Sequence, residues 1–150
     1  MDEPGPRFLG IFLKIFGSLP RQGPGHLASA RKALRYCENL PNTPEILDLG
    51  CGTGAQTFQL AELTQGSIVA VDQYSASIEK LNQKLAQLSL TDRIRVQVGD
   101  MAELTIAPSS FDLIWSEGAL YNISIPRALS ICTGLLRKCW LFGIYRCGLV

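Results

Sequence analysis

A run of three alternating glycines behind a short apolar segment constrains this chain more than any other feature. Segment 46–49 is typical of a buried strand, holds Asp48, and precedes a helical pattern that begins at Ala55. The glycines between strand and helix are Gly50, Gly52 and Gly54. Because glycine has no Cβ, the backbone can turn sharply here and lie against a ligand. This order predicts a ligand-binding turn, with Asp48 pointing into the crevice at the carboxyl edge of a parallel sheet, rather than a glycine-rich surface turn.

The rest of the chain alternates between strand and helix patterns. Short apolar or alternating segments predict strands over 46–49, 68–71, 94–98 and 111–115, and periodic segments predict helices over 26–40, 55–63, 75–88 and 125–137. Such alternation indicates a parallel sheet with right-handed crossovers. The predicted fold class is α/β, a Rossmann-like doubly wound and mainly parallel sheet in strand order 3-2-1-4. We expect the tail to lie beside strand four as an irregular or fifth strand.

Acidic residues end the first three predicted strands and should share one edge of the sheet: Asp48, Asp72 and Asp100. Asp72 lies 18 residues after Gly54, the separation at which an acid on the second strand receives ribose hydroxyls. Residues 50–55 also fit the dinucleotide fingerprint with alanine in the last place, so an NAD(P)-binding oxidoreductase is an alternative. Asp48 would repel a pyrophosphate, however, and it suits a cofactor with a sulfonium and an ammonium group better.

The motifs together resemble the class I S-adenosylmethionine-dependent methyltransferases. Segment 48–54 is similar to the first motif of that family almost letter for letter, 71–72 to its second, 99–101 to its third and 111–116 to its fourth-strand motif. The similarity covers roughly residues 20 to 137. It implies S-adenosyl-L-methionine as cofactor and methyl transfer to an unidentified, small-molecule acceptor.

The resemblance also implies roles for single residues. The glycines pack under the methionine and ribose parts of the cofactor, Asp72 binds the ribose hydroxyls, and Asp100 accepts from the adenine amino group with Met101 nearby. Ser116 lies beside the methionine portion. The expected cofactor-binding residues are Asp48, Gly50, Cys51, Gly52, Gly54, Asp72, Gln73, Asp100, Met101, Ser116 and Arg21.

Two residues beyond the fourth strand, Glu117 and Tyr121, are the candidates for contact with the acceptor. Methyl transfer mainly needs in-line placement, and a base helps only when the acceptor carries a proton. The alternative is a loop acid and a packing aromatic. Arg21 either clamps the cofactor carboxylate bidentately from a lid or lies solvated in its loop. Segments 21–25 and 115–122 together resemble an uncharacterised bacterial methyltransferase subgroup.

Composition limits the partners and the compartment. A net charge of +1 gives no reason to expect nucleic acid or an anionic membrane. The five cysteines are odd in number and lack metal-type spacing, which predicts reduced thiols, no metal site and a cytoplasmic location. The apolar segment 8–13 is too short to span a bilayer. Residues 1–25 are predicted to form an N-terminal cap or lid, and residues 26–150 a partial methyltransferase domain.

The family fold has seven strands, whereas this chain supplies four before a tail that lacks the expected turn and fifth strand. One hypothesis is that the tail after Arg137 is a frameshift product, which resequencing the gene would test. The resemblance thus implies a C-terminally incomplete sheet, and an unpaired outer edge of strand four is a template for association with another chain. We expect a marginally stable, aggregation-prone product. A third reading, beside methyltransferase and oxidoreductase, is a truncated cofactor-binding module without turnover.

Overall fold

The computed structural model describes residues 6–19 and 21–137. The helices and strands, in chain order, are α1 (Pro6–Ser18), α2 (Leu27–Leu34), β1 (Glu45–Leu49), α3 (Ala55–Leu63), β2 (Ser67–Asp72), α4 (Ser75–Gln87), β3 (Ile94–Val98), β4 (Leu113–Trp115) and α5 (Ile125–Leu135). A single 3₁₀ turn, Leu120–Ile123, precedes α5 in this part of the chain. The predicted alternation of strands and helices is confirmed, and α3 and β3 have the predicted bounds.

The largest error in the predicted bounds is the length of α2, which ends at Leu34 rather than near residue 40. The backbone N–H groups of Tyr36 and Cys37 donate to carbonyls three residues earlier, at 3.0 Å each, so the helix tightens into turns. Pro41 disfavours helical backbone in the residue before it, which opposes continuation. Strand β4 begins two residues later than predicted because Phe111 forms only an isolated bridge, with Leu136.

The four strands of the described sheet are all parallel and follow the order β3-β2-β1-β4, which confirms the predicted fold class and strand order. Leu49 is opposite Val71, and Asp48 is opposite Trp115. Because these partners are the last residues or nearly the last residues of their strands, the loops after β1, β2 and β4 meet at one edge. The tail predicted to lie beside strand four, from residue 138, is outside the described residues.

Two apolar cores cover the two faces of the sheet, since successive strand side chains point to opposite faces. Ile46 faces the core shared with α2, α3 and α4, whereas Leu47 faces the core shared with α5.

No helix in residues 6–19 and 21–137 is long and apolar enough to cross a membrane. Nζ of Lys80, on α4, donates to the carbonyl of Gly17, near the end of α1, at 2.8 Å. The end of α1 therefore reaches the carboxyl edge of the sheet.

Replacing a core leucine of α4 should test how strongly the first core stabilises the fold. Leu81 is completely buried, so Leu81→Ala should lower the free energy of unfolding by roughly 2–5 kcal/mol through lost burial and the cavity left behind. Leu88 just after the same helix is 59% exposed and serves as the matched control, with an expected change within about 0.5 kcal/mol for Leu88→Ala. Urea unfolding measures both, and equal losses would contradict the packing described.

Candidate functional site

A cavity of about 550 Å³ opens at the carboxyl edge of the sheet, above the glycine loop 50–54. It is lined by the loops after β1, β2 and β4, by the start of α4, and by Gln22 and Gly23 before α2. Small-molecule pockets have volumes of this order, and open α/β sheets bind ligands beyond the carboxyl ends of their strands. The predicted residues that line the cavity are Gly50, Cys51, Gly52, Asp72, Gln73, Met101, Glu117 and Tyr121.

The glycine loop follows a path that a side chain would obstruct. The N–H groups of Gly50 and Cys51 both donate to the Val71 carbonyl, at 2.8 and 3.1 Å, which turns the chain back over β2. Gly50 has φ +73° and Gly52 has φ +54°, both in the left-handed region. A Cβ on Gly50 would overlap the Cβ of Ala119. Glycine is therefore required for both the turn and the close approach of the β4 loop.

Asp72 connects the end of β2 to the glycine loop. One carboxylate oxygen accepts from the Gly52 N–H at 2.8 Å, and the other accepts from the Tyr74 N–H at 2.9 Å. The residue is only 9% exposed, yet it lines the cavity. Because each carboxylate oxygen has two lone pairs, both oxygens retain capacity to accept from a ligand.

The prediction that Asp48 points into the crevice is wrong. Alternation along β1 places its side chain on the same face as Ile46, beneath α3, where Oγ1 of Thr57 donates to Oδ2 at 2.6 Å. Asp48 is completely buried, and Oδ1 has no hydrogen-bond partner among the described residues. Burial, aided by repulsion from Glu117 and Asp72, raises the pKa of Asp48 to about 7. Asp48 is thus bound to α3 through Thr57 and does not line the cavity.

Glu117 and Arg21, predicted for different roles, contact each other. Nη2 of Arg21 donates to Oε2 of Glu117 at 2.6 Å, and Nε1 of Trp115 donates to Oε1 at 2.9 Å. The Glu117 side chain is only 2% exposed. Nε of Arg21 also donates to the Gly23 carbonyl at 3.0 Å. Arg21 is therefore held by the protein, with 21% of its side chain exposed, and does not line the cavity, while each oxygen of Glu117 accepts a hydrogen bond from the protein.

The other predicted residues lie around the cavity in different ways. Asp100 is exposed and outside the lining, with Oδ1 accepting from the Ala102 N–H at 2.8 Å. Ser116 is buried, and its hydroxyl donates to the Leu49 carbonyl at 2.8 Å, which joins the ends of β1 and β4. Gly54 is also outside the lining, packed against Leu81. Tyr121, by contrast, is 70% exposed at the rim.

Cys51 has the surroundings of a small loop filler. It is buried, burial raises the pKa of its thiol, and Sγ donates to the Gly52 carbonyl at 3.7 Å. A thiol that resists ionisation is a poor nucleophile. Within the described ranges, no group of histidine, cysteine and acidic side chains has the arrangement of a metal site.

The sequence did not predict that Gln22, in the segment before α2, contacts the glycine loop. The side-chain oxygen of Gln22 accepts from the Thr53 N–H at 3.1 Å, above the glycine loop. Segment 21–25 resembles a methyltransferase subgroup, but within it a function was predicted for Arg21 alone. The Gly-Pro-Gly run after Gln22 indicates a tight backbone path, but nothing in one sequence tells which loop it packs against.

Comparison with known proteins agrees with this geometry. The family described as "Methyltransferase domain" matches residues 42–138. Trans-aconitate 2-methyltransferase of Deinococcus radiodurans is 39% identical over 85 residues, which cover 54% of this chain and 30% of that protein. Ribosomal protein L11 methyltransferase of Pelobacter propionicus is 30% identical over 149 residues, which cover 95% of this chain and 45% of that protein.

The fold also matches a solved structure. Geranyl diphosphate C-methyltransferase of Streptomyces coelicolor, crystallised with S-adenosyl-L-homocysteine, has a TM-score of 0.66 at 18% identity, covering 73% of this chain and 41% of that one. This chain thus spans less than half the length of each of these three proteins. The family match covers well over half of the chain and includes the glycine loop, Asp72 and the β4 loop. The chain belongs to the class I S-adenosylmethionine-dependent methyltransferase family.

Proposed function

We propose that this protein binds S-adenosyl-L-methionine in the cavity above the glycine loop and transfers its methyl group to a small-molecule acceptor. The observation that carries the proposal is Asp72, whose carboxylate lies at the cavity wall and is oriented by the Gly52 and Tyr74 N–H groups. A carboxylate held this way at the end of β2 is suited to accept from the two hydroxyls of a ribose.

The residues present fit such a cofactor in shape and charge. A Cβ on Gly50 would overlap Ala119, and a Cβ on Gly52 would overlap Gln22, so glycine lets the loop pack closely against the neighbouring walls of the cavity. Asp72 and Glu117 line the cavity, and the buried Asp48 lies close enough for its pKa to respond to both. Glu117 is paired with Arg21, and Lys80 adds a cation to the cavity lining, so these charges largely offset one another. Recognition of the ligand therefore depends on Asp72. The match of residues 42–138 to a methyltransferase domain supports S-adenosyl-L-methionine over NAD(P), and no finding favours the oxidoreductase alternative.

In this proposal Asp72 holds the ribose, Gly50 and Gly52 lie under it, and Met101 and Gln73 contact the adenine end beside the exposed Asp100. The bound cofactor supplies an electrophilic methyl group. The chain itself orients the reactants and excludes water, which is most of what methyl transfer requires. Tyr121 at the rim remains the candidate for acceptor contact. Cys51 lines the cavity within the glycine loop, and Gly54 ends that loop outside the lining. Ser116 joins the ends of β1 and β4, and Asp48 lies beneath α3.

A small-molecule acceptor is proposed because the opening beside Tyr121 belongs to the same cavity of about 550 Å³. Trans-aconitate in the name of one relative supports this class, whereas ribosomal protein L11 in the name of another makes a protein acceptor an outcome to test. Free thiols at Cys37, Cys51 and Cys132 support a reducing, cytoplasmic location. We also propose that residues 1–25 cap the domain.

Titration calorimetry with the purified chain tests the cofactor. We expect S-adenosylhomocysteine to bind with a dissociation constant in the micromolar range and NAD to give no heat of binding, because the family match is to methyltransferases. Binding of NAD without S-adenosylhomocysteine would reverse the assignment. Labelled methyl groups from S-adenosylmethionine, followed over a panel of small acids, amines and proteins, then identify the acceptor. Cofactor binding without any labelled product would favour a module without turnover.

A further inference from the structure

Residues 21–25, here called the strap, cross the glycine loop just before α2. The side-chain oxygen of Gln22 accepts from the Thr53 N–H at 3.1 Å, and a Cβ on Gly52 would overlap that oxygen. Gln22 and Gly23 both line the cavity. The strap is therefore a wall of the cavity, directly beside the backbone that is proposed to lie under the cofactor.

The other side of the strap is anchored on the loop after β4. The guanidinium of Arg21 donates to Oε2 of Glu117, and the side chain of Glu117 is almost entirely out of solvent. Trp115 donates to the other oxygen of the same carboxylate. Gly25 is buried where any Cβ would overlap the Glu117 carboxylate. This close packing fixes the strap to the β4 loop through one charged pair.

We infer that Arg21 and Glu117 are positioning residues, whose ion pair holds the strap across the glycine loop so that Gln22 braces Thr53 and closes the cavity. The consequence for the cofactor rests on the proposed function: a closed strap slows escape of the bound molecule. Glu117 acts here as an anchor, because its buried carboxylate holds Arg21 through one oxygen and Trp115 through the other. Neither residue of the pair needs to touch the reacting atoms.

The first test needs no ligand. Arg21→Met removes the cation that pairs with Glu117 and leaves both groups of the Gln22–Thr53 hydrogen bond in place. Gln22→Ala removes the acceptor of the Thr53 N–H directly. Both variants should speed hydrogen exchange at the Thr53 amide by roughly tenfold or more, because the local opening that exposes it becomes easier. Arg31→Met, at an exposed arginine on α2, is the matched control and should leave that rate unchanged. An unchanged Thr53 rate in Arg21→Met overturns the inference.

A spectroscopic signature separates the pair from general destabilisation. The sequence has two tryptophans, so in a Trp140→Phe background the emission comes from Trp115 alone. Its indole N–H donates to Glu117. Arg21→Met should shift the emission wavelength of Trp115. Arg21→Lys should shift this wavelength less, because lysine keeps the positive charge. A double variant, Arg21→Met with Glu117→Gln, leaves no unpaired buried charge and keeps the test valid if Arg21→Met alone fails to fold.

The second test measures dissociation of S-adenosylhomocysteine by stopped flow. Arg21→Met and the double variant should both raise the dissociation rate constant at least roughly tenfold, the size expected for losing a charge-assisted contact. Wild-type dissociation rates in both variants would overturn the inference while leaving the proposed function intact. If the unaltered chain binds no S-adenosylhomocysteine but Arg21→Met still frees Thr53, the proposed function fails and the anchoring role of the pair stands.

Discussion

Asp72→Ala should reduce the affinity for S-adenosylhomocysteine at least roughly tenfold. The variant loses the carboxylate proposed to accept from the ribose hydroxyls, and charge-assisted hydrogen bonds contribute about 1.5–3 kcal/mol each. It also releases the Gly52 N–H that the carboxylate holds at 2.8 Å, so the glycine loop is less well ordered for binding. Calorimetry measures the change in dissociation constant.

Two further variants make this result specific. Asp92→Ala removes an exposed carboxylate before β3 and should leave the affinity unchanged. Asp72→Asn keeps one acceptor oxygen and should fall between wild type and Asp72→Ala. Loss of the two charge-assisted backbone hydrogen bonds of Asp72, at about 1.5–3 kcal/mol each, should also cost roughly 3 kcal/mol or more of the free energy of unfolding. Unchanged cofactor affinity would mean that the ribose lies elsewhere.

Asp48→Asn should remove a dependence of stability on pH. In the folded chain the pKa of Asp48 is raised from 3.8 to about 7, mainly by burial. The folded state therefore binds this proton more tightly than the unfolded state does. Its stabilising contribution is complete below about pH 4 and is lost as the pH rises to about 7, with a slope of up to roughly 1.4 kcal/mol per pH unit. The variant lacks this slope.

Above pH 7 the same substitution should stabilise the fold, because a neutral amide replaces a buried charge. We expect a gain on the order of 4 kcal/mol at pH 8 and little difference at pH 4. The Asn oxygen can still accept from Thr57, which donates to Asp48 in the wild type. Urea unfolding at both pH values measures the effect, with Asp92→Asn as the exposed control. A variant less stable than wild type at pH 8 would show that Asp48 is ionised and compensated in the folded chain.

Local patterns in the sequence were sufficient for the fold class and for part of the site. Hydrophobic periodicity and the glycine run predicted α3 and β3 with their bounds, and the doubly wound fold class predicted the order β3-β2-β1-β4. The position of Asp72 at the cavity followed from the same rules, because the carboxyl ends of parallel strands share an edge. Periodicity is set by neighbouring residues, and the handedness of the crossovers by the chirality of L-amino acids, so both can be inferred from a single sequence.

Contacts between distant segments were decided by the tertiary structure alone. Asp48 is under α3 rather than in the crevice because of which face of β1 that helix covers. The pairing of Arg21 with Glu117 joins residues 96 positions apart, and no periodicity or spacing rule predicts it. The same is true of Gln22 on the Thr53 amide. Sequence alone thus determined the elements and the edge at which a ligand can bind, whereas long-range packing decided which side chains line that edge and which ones are buried in support of it.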